Sequence, residues 1–357
     1  MPSGIREWFE QVTDLALEIL DVKPSDSPLS DLVEHCNAIL SRKGEATGLA
    51  LASVVVEAWH RLPLNDHLAF FEMLLLDFGP DANQLMDLVD EYQRQEDQSL
   101  IIAIHRASEP ARQELFRRIN AAPEGLKTLL EIRESLQPLL CGNAHLKAID
   151  EDFVHLFGSW FNKGFLKLEQ INWQTPAAVL EKLIQYESVH EIQGWDDLRR
   201  RLAEDRLCFA YFHPVIPDEP LIFVEVALVD GIAHAIGPLL TTEPQSPIDA
   251  DTAVFYSINN CQPGLSGVSF GNLLIKQVVS VLQHERPKLR CFVTLSPILG
   301  FRKWLVAEYP DFVGELNNLS LHSDLSSFVV EYLTTSVGGR LIDPVARFHL
   351  GNGAILQ

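Results

Sequence analysis

Paired cysteines are the first thing this sequence lacks. Cys36, Cys141, Cys208, Cys261 and Cys291 are scattered, odd in number and without a C-x-x-C spacing. That excludes a disulfide framework and a ribbon-type zinc or redox motif, and it fits a reducing compartment. Each is expected as a small apolar core residue, with Cys261, in a loop by composition, the exception. Positive charge is also scarce: 28 Lys and Arg stand against 49 Asp and Glu, a net charge of −21. So acidic a chain repels phosphate backbones and anionic bilayers, so neither nucleic acid nor a membrane is an expected partner. An anionic small molecule remains compatible, because a local site can be positive on an acidic protein. No apolar run reaches the ~18 residues of a spanning helix. Met1–Glu10 carries Glu7 and Glu10 and has neither a signal peptide's basic and apolar regions nor a transit peptide's arginines. Ala354–Gln357 is not a peroxisomal address. The expected location is the cytoplasm.

What is present is apolar residues in quantity. At 357 residues with 47% hydrophobic content, the chain exceeds what one core usually serves, so two domains are expected. Residues 1–155 read as a helical bundle, an oligomerisation domain. Trp8, Phe9, Val12, Leu15, Ala16 and Ile19 fall at helical spacing within Ile5–Leu20. Asp31–Leu40, Leu49–His60, Asp66–Phe78 and Asp81–Arg94 carry similar stripes, with Pro63, Pro80, Pro110 and Pro123 between stripes. Ser108 is a candidate cap for a helix over Ala111–Ala121. His35, His60, His67, His105 and His145 lack a second ligand at i+3 or i+4, so no metal site is expected there.

Residues 156–357 change character. Strands are expected at Leu207–Phe212, Leu221–Leu228, Ala253–Ile258 and Leu289–Leu295. Pro214–Pro220 reads as a turn, and Asp230-Gly231 as a hairpin returning through Ile232–Ile236. Helices are expected at Phe270–His284 and Gly300–Glu308. Hairpins followed by a crossover helix make an α+β arrangement.

Three segments carry candidate chemistry. Gly264–Asn272 contains Ser266, Gly267, Val268, Ser269, Phe270 and Gly271, a glycine-rich loop opening a helix. Glycines let backbone approach a ligand and leave N–H groups aimed at it, and the helix N-terminus adds positive potential for a pyrophosphate or oxyanion. The same stretch, Gly267–Gly271, matches the G-x-S-x-G nucleophile elbow, with Asp324 or Asp343 and then His349 following in hydrolase order. Against the elbow, a long loop separates it from the preceding strand. Ser296, before Pro297, presents a hydroxyl at a strand end. His349, among bulky apolar residues and before a Gly-Asn-Gly turn, is placed to move a proton, and Asn352 to orient it or a carbonyl.

Several blocks together resemble malonyl-CoA decarboxylase. They are Val189–Ile192, Trp195–Arg201, Tyr211–Pro214, Glu219–Leu228, Ser257–Asn260, Gly264–Lys276, Thr294–Pro297 and Phe348–Ala354, in order along the second half of the chain. The resemblance implies an N-terminal helical domain and a GNAT-type (acyltransferase-like) catalytic domain whose glycine-rich loop binds the CoA pyrophosphate. It implies Ser296 and His349 as the catalytic pair, and contact between Ser266–Asn272 and malonyl-CoA. It implies a lyase of fatty-acid metabolism, converting malonyl-CoA to acetyl-CoA and carbon dioxide; an acidic chain whose helical domain carries no evident chemistry separately suggests a homo-oligomer. No metal or organic cofactor is implied, since the thioester is itself the electron sink. A GNAT-type acyltransferase, a serine hydrolase or thioesterase and a non-catalytic acyl-CoA sensor are the alternatives. Two departures stand out. Some relatives have glutamate where Ser269 stands. The family also usually continues past the His-Leu-x-Asn-Gly-Ala block into a tyrosine-bearing segment, whereas this chain stops at Gln357.

Overall fold

The computed structural model describes residues 27–41, 45–268, 271–310 and 322–356. The stripe at Ile5–Leu20, the elbow serine Ser269 and Phe270 lie outside the described residues. The chain divides into two compact units, the first made of Met1–Lys167, His213–Glu219 and Gln262–Ser269, the second of the remainder.

The first unit's helices follow the apolar stripes. They are α1 (Pro28–Ser41), α2 (Glu45–Arg61), α3 (His67–Leu76), α4 (Ala82–Gln95), α5 (Gln98–Ser108), α6 (Ala111–Asn120), α7 (Gly125–Leu136) and α8 (Lys147–Trp160). Asp81 caps α4 by accepting from the amides of Asn83 and Gln84, and Asp97 caps α5 through Ser99. Ser108 does not cap α6. It is the last residue of α5, with its hydroxyl donating to the His105 carbonyl, while Pro110 occupies the N-cap position. Leu129, Phe70, Phe71, Phe116 and Phe153 are buried in this unit. Each such burial contributes about 1.5–3 kcal/mol. One ion pair is sunk beside them, Arg112 Nε to Asp152 Oδ2 at 2.6 Å.

The second unit is built on a mixed five-stranded sheet in the order β1-β2-β3-β4-β5. After β1 (Lys167–Ile171), helices α9 (Ala177–Tyr186) and α10 (Trp195–Arg201) lead into β2 (Arg206–His213) and β3 (Ile216–Val229). Only Pro214 and Val215 form the turn between those strands, so Pro217 and Pro220 are taken into β3. The expected return through Ile232–Ile236 is absent. Both edges of β3 are already filled by β2 and β4, so the chain after Gly231 instead enters the short helix α11 (Ile236–Thr241). Gly231 still turns, at φ +73°, and donates its amide to Asp251 Oδ1.

On the edge away from β2, β3 pairs with β4 (Thr252–Asn260), antiparallel, with a bulge at Glu225/Val226. Next comes α12 (Gly271–Glu285), then β5 (Cys291–Thr294), parallel to β4. A parallel pair needs a long crossover, and α12 is that crossover. Gln277, a polar residue within the apolar stripe of α12, accepts from the Tyr211 hydroxyl at 2.5 Å. Beyond β5 come α13 (Phe301–Glu308), α14 (His322–Thr334), the hairpin β6 (Ser336–Val337) and β7 (Arg340–Leu341), and α15 (Pro344–Gly351). Helical unit and mixed-sheet unit together make the α+β class expected from the pattern.

Candidate active site

Parallel strands β4 and β5 part company just before Ser296. The amide of Leu295 still donates to the Phe255 carbonyl, at 2.9 Å, and pairing stops there. Pro297 has no N–H to continue the ladder. β4 runs on to Asn260, paired only with β3. Ser296 therefore leaves the sheet at the carboxyl end of its strand, where ligands of open α/β sheets bind.

His349 reaches the same place from the last turn of α15. That helix begins on Asp343, one of whose oxygens accepts from the Ala346 amide at 2.7 Å, with Pro344 at the first helical position. The other Asp343 oxygen accepts from the Tyr332 hydroxyl at 3.0 Å, and both residues are buried. A Cβ added to Gly300 would lie 2.1 Å from that hydroxyl, so the chain just after Ser296 packs directly on Tyr332.

The outcome is a contact between Ser296 Oγ and His349 Nε2 at 3.0 Å. Burial lowers the His349 pKa below 6.5, so the ring is neutral near neutral pH, one nitrogen donating and the other accepting. Phe348 stands edge-on to it, centroids 5.1 Å apart. A neutral imidazole on a serine hydroxyl can take up, hold or return a proton.

The glycine-rich loop departs from expectation in detail. Gly264 is buried against α7: an added Cβ would lie 2.4 Å from the Leu130 carbonyl oxygen. It serves helix packing and not ligand approach. The amides of Leu265, Ser266 and Val268 bond the carbonyls of Gln262, Pro263 and Leu265, so they are not free donors. Ser266 and Gly267 are the exposed part, with Gly267 at φ +79° and open space beside it, and Val268 is half-buried. Gly271 and Asn272 begin α12.

Asn352 closes α15. Its side-chain amide donates to the Phe348 carbonyl at 2.6 Å, and its backbone N–H to the His349 carbonyl. Two described features weigh against the hydrolase constellation. No strand enters the G-x-S-x-G segment, because β4 ends at Asn260 and a 3₁₀ turn over Pro263–Leu265 intervenes. Asp343, one of its two candidate acids beside Asp324, is spent on Tyr332 and Ala346. Cys261, expected as the exception among core cysteines, is itself buried in the core of the second unit.

Supporting residues unassigned from sequence surround β4. The Glu187 carboxylate accepts from the amides of Val189 and His190, from Ser257 Oγ and from Asn259 Nδ2, all within 2.9 Å. Asn259 Oδ1 in turn accepts from the amide and hydroxyl of Ser188. This network fixes the end of β4 that β5 leaves unpaired. Arg201 pairs with Glu225 at 2.7 Å in the same buried layer. Burial pushes the Glu225 carboxyl up against the downward pull of Arg201.

Comparison with known proteins agrees with this frame. The model of the malonyl-CoA decarboxylase N-terminal domain matches residues 78–161, and that of the C-terminal domain matches 164–319. Mitochondrial malonyl-CoA decarboxylase of Anser anser anser is 33% identical, over 79% of this chain and 68% of that protein. The Mus musculus protein is 31% identical over the same shares. Among solved structures, malonyl-CoA decarboxylase from Rhodopseudomonas palustris is 44% identical, covering 92% of this chain and 86% of its own, with a TM-score of 0.85. The Agrobacterium vitis protein gives 44%, 90%, 85% and 0.82 for the same quantities. The chain belongs to the malonyl-CoA decarboxylase family.

Proposed function

We propose that this protein converts malonyl-CoA to acetyl-CoA and carbon dioxide, with Ser296 and His349 as its catalytic pair. The observation that carries the reading is the 3.0 Å contact between the two side chains at the open end of parallel strands. The carbon–carbon bond to the carboxylate breaks, carbon dioxide leaves, and the electron pair passes to the thioester as an enolate. A hydrogen-bond donor on the developing enolate oxygen is worth ~3 kcal/mol in the transition state. The enolate carbon then takes a proton delivered through the Ser296–His349 pair, a form of general acid–base help worth about 100- to 10,000-fold. Ser266, Gly267, Val268, Ser269, Phe270, Gly271, Asn272 and Asn352 are assigned to acyl-CoA contact, in a GNAT-type catalytic domain. The thioester supplies the electron sink, so the scheme uses no metal or organic cofactor.

The test is product analysis with malonyl-CoA as sole substrate. Acetyl-CoA and carbon dioxide in equal amounts are expected. Free CoA in their place would mean hydrolysis, and no product without an added acceptor would mean acyl transfer or simple sensing.

The scattered cysteines favour a reducing compartment, read here as the cytoplasm, and the proposed reaction assigns the protein to fatty-acid metabolism. A homo-oligomer is proposed through the helical domain, whose α4 and α5 leave Met86 and Ile102 more than half exposed.

A further inference from the structure

We propose that Arg133 is a positioning residue for substrate binding, so that the helical region has a role in catalysis beyond packing. The inference rests on assigning the glycine-rich loop to acyl-CoA contact. Arg133 lies on α7, with its side chain only 3% exposed. Its guanidinium divides between two acceptors: Nε donates to Asp150 Oδ1 of α8 at 2.8 Å, and Nη1 donates to the Gly264 carbonyl at 2.6 Å. Gln137, near the end of the same helix, donates Nε2 to the neighbouring Pro263 carbonyl at 3.0 Å. The missing side chain of Gly264 lets the loop backbone lie against Leu130, and Leu265 is buried beside it. One half of the loop, Pro263–Leu265, is thus locked to α7, and the other half, Ser266–Val268, is held outward.

A charged, buried donor shared between Asp150 and one loop carbonyl is a costly device merely to close a loop. Burying arginine needs its partners fully engaged, and here one of those partners is the loop itself. What the arrangement provides is a fixed presentation of the exposed half. Fixing a binding element in advance lowers the entropy lost when ligand docks. Misplacing such an element by about an ångström costs about 100-fold even far from the chemistry.

The test compares the whole protein with its Arg133→Lys and Gln137→Ala variants on malonyl-CoA and malonyl-pantetheine. The second substrate keeps the thioester and pantetheine arm and lacks the pyrophosphate. Lysine preserves the cation opposite Asp150 but has no planar fork to reach both acceptors. For Arg133→Lys, kcat/KM on malonyl-CoA is expected to fall about 10- to 100-fold, mostly through KM. On malonyl-pantetheine the variant should match the parent. Gln137→Ala, altered at an exposed bond, should show a smaller loss with the same substrate dependence. It serves as the readout where Arg133→Lys does not fold. Equal losses on both substrates, or no loss on malonyl-CoA, would overturn the proposal. A parent that handles both substrates equally would instead remove the assignment of the loop to the pyrophosphate.

Discussion

Ser296 Oγ lies 3.0 Å from His349 Nε2, although 53 residues separate them in sequence. A strand end and a helix end converge on that contact. If the two side chains act as one device, losing either loses most of what both supply. Ser296→Ala and His349→Ala are each expected to lower kcat by about 100-fold or more, with the double variant no worse than the poorer single one. Binding of acetyl-CoA, followed by calorimetry, should change little in either.

The pH profile follows from burial. The His349 pKa lies below 6.5, and the neutral ring, with one nitrogen donating and the other accepting, is the form in contact with Ser296 near neutral pH. Activity governed by that ring is complete above its lowered pKa and lost as pH falls through it. The acid limb of kcat should therefore sit below pH 6.5, as rate measurements from pH 4.5 to 8 would check. The same shift carries a stability consequence: as pH falls below 6.5, the unfolded chain gains a proton on His349 before the folded one does, and stability declines.

Tyr332 and Asp343 brace both arms of the pair. Asp343→Ala removes the cap of α15 and the acceptor for Tyr332 together. A cap alone is worth ~1 kcal/mol, and a stranded buried hydroxyl adds ~1–3 kcal/mol. The midpoint of urea unfolding should move accordingly, with Asp343→Asn recovering part of the loss by capping.

Gly264→Ala should destabilise the first unit. Its Cβ would lie 2.4 Å from the Leu130 carbonyl oxygen, and backbone must shift to admit it. Overpacking of this kind costs about 1–3 kcal/mol. Gly267→Ala, in open space but at positive φ, should cost ~1 kcal/mol from conformation alone. Thermal unfolding of the two variants separates packing from backbone strain.

Glu225→Ala should be severe, because it removes the fully buried partner of the Arg201 guanidinium and leaves it only Asp197 at 3.1 Å and the His190 carbonyl at 3.0 Å. Removing one partner of such a pair costs about 3–5 kcal/mol. Chemical denaturation would measure the loss, and an unchanged midpoint would show that Asp197 and the His190 carbonyl suffice for Arg201.

Local pattern made the helices legible, and it failed wherever distant residues decide. Stripes at helical spacing placed α1–α4 within a few residues, and apolar runs placed β2, β4 and β5. Ser296 at a strand end and His349 before a turn were visible as local features. Their contact was not, since it depends on how β5 and α15 pack. The turn chemistry at Gly231 reads as a hairpin because it does not reveal that β3 already has two neighbours. Asp343-Pro344 carried a readable cap-then-proline signal for the start of α15, but it also fitted a triad acid. The hairpin β6–β7 has Gly338-Gly339 to mark its turn, both at positive φ, but strands of two residues are too short to show an alternation. Nothing local distinguishes Arg133 from any other arginine of an amphipathic helix. Its role is set by Gly264, 131 residues away.

The central claim is tested most directly by incubating the protein with malonyl-CoA alone and following acetyl-CoA, carbon dioxide and free CoA together, beside the Ser296→Ala and His349→Ala variants. The expected result is acetyl-CoA and carbon dioxide in one-to-one amounts from the parent, and at least about 100-fold less of both from each variant. Parent-like acetyl-CoA formation by both variants, or free CoA as the parent's main product, would contradict it.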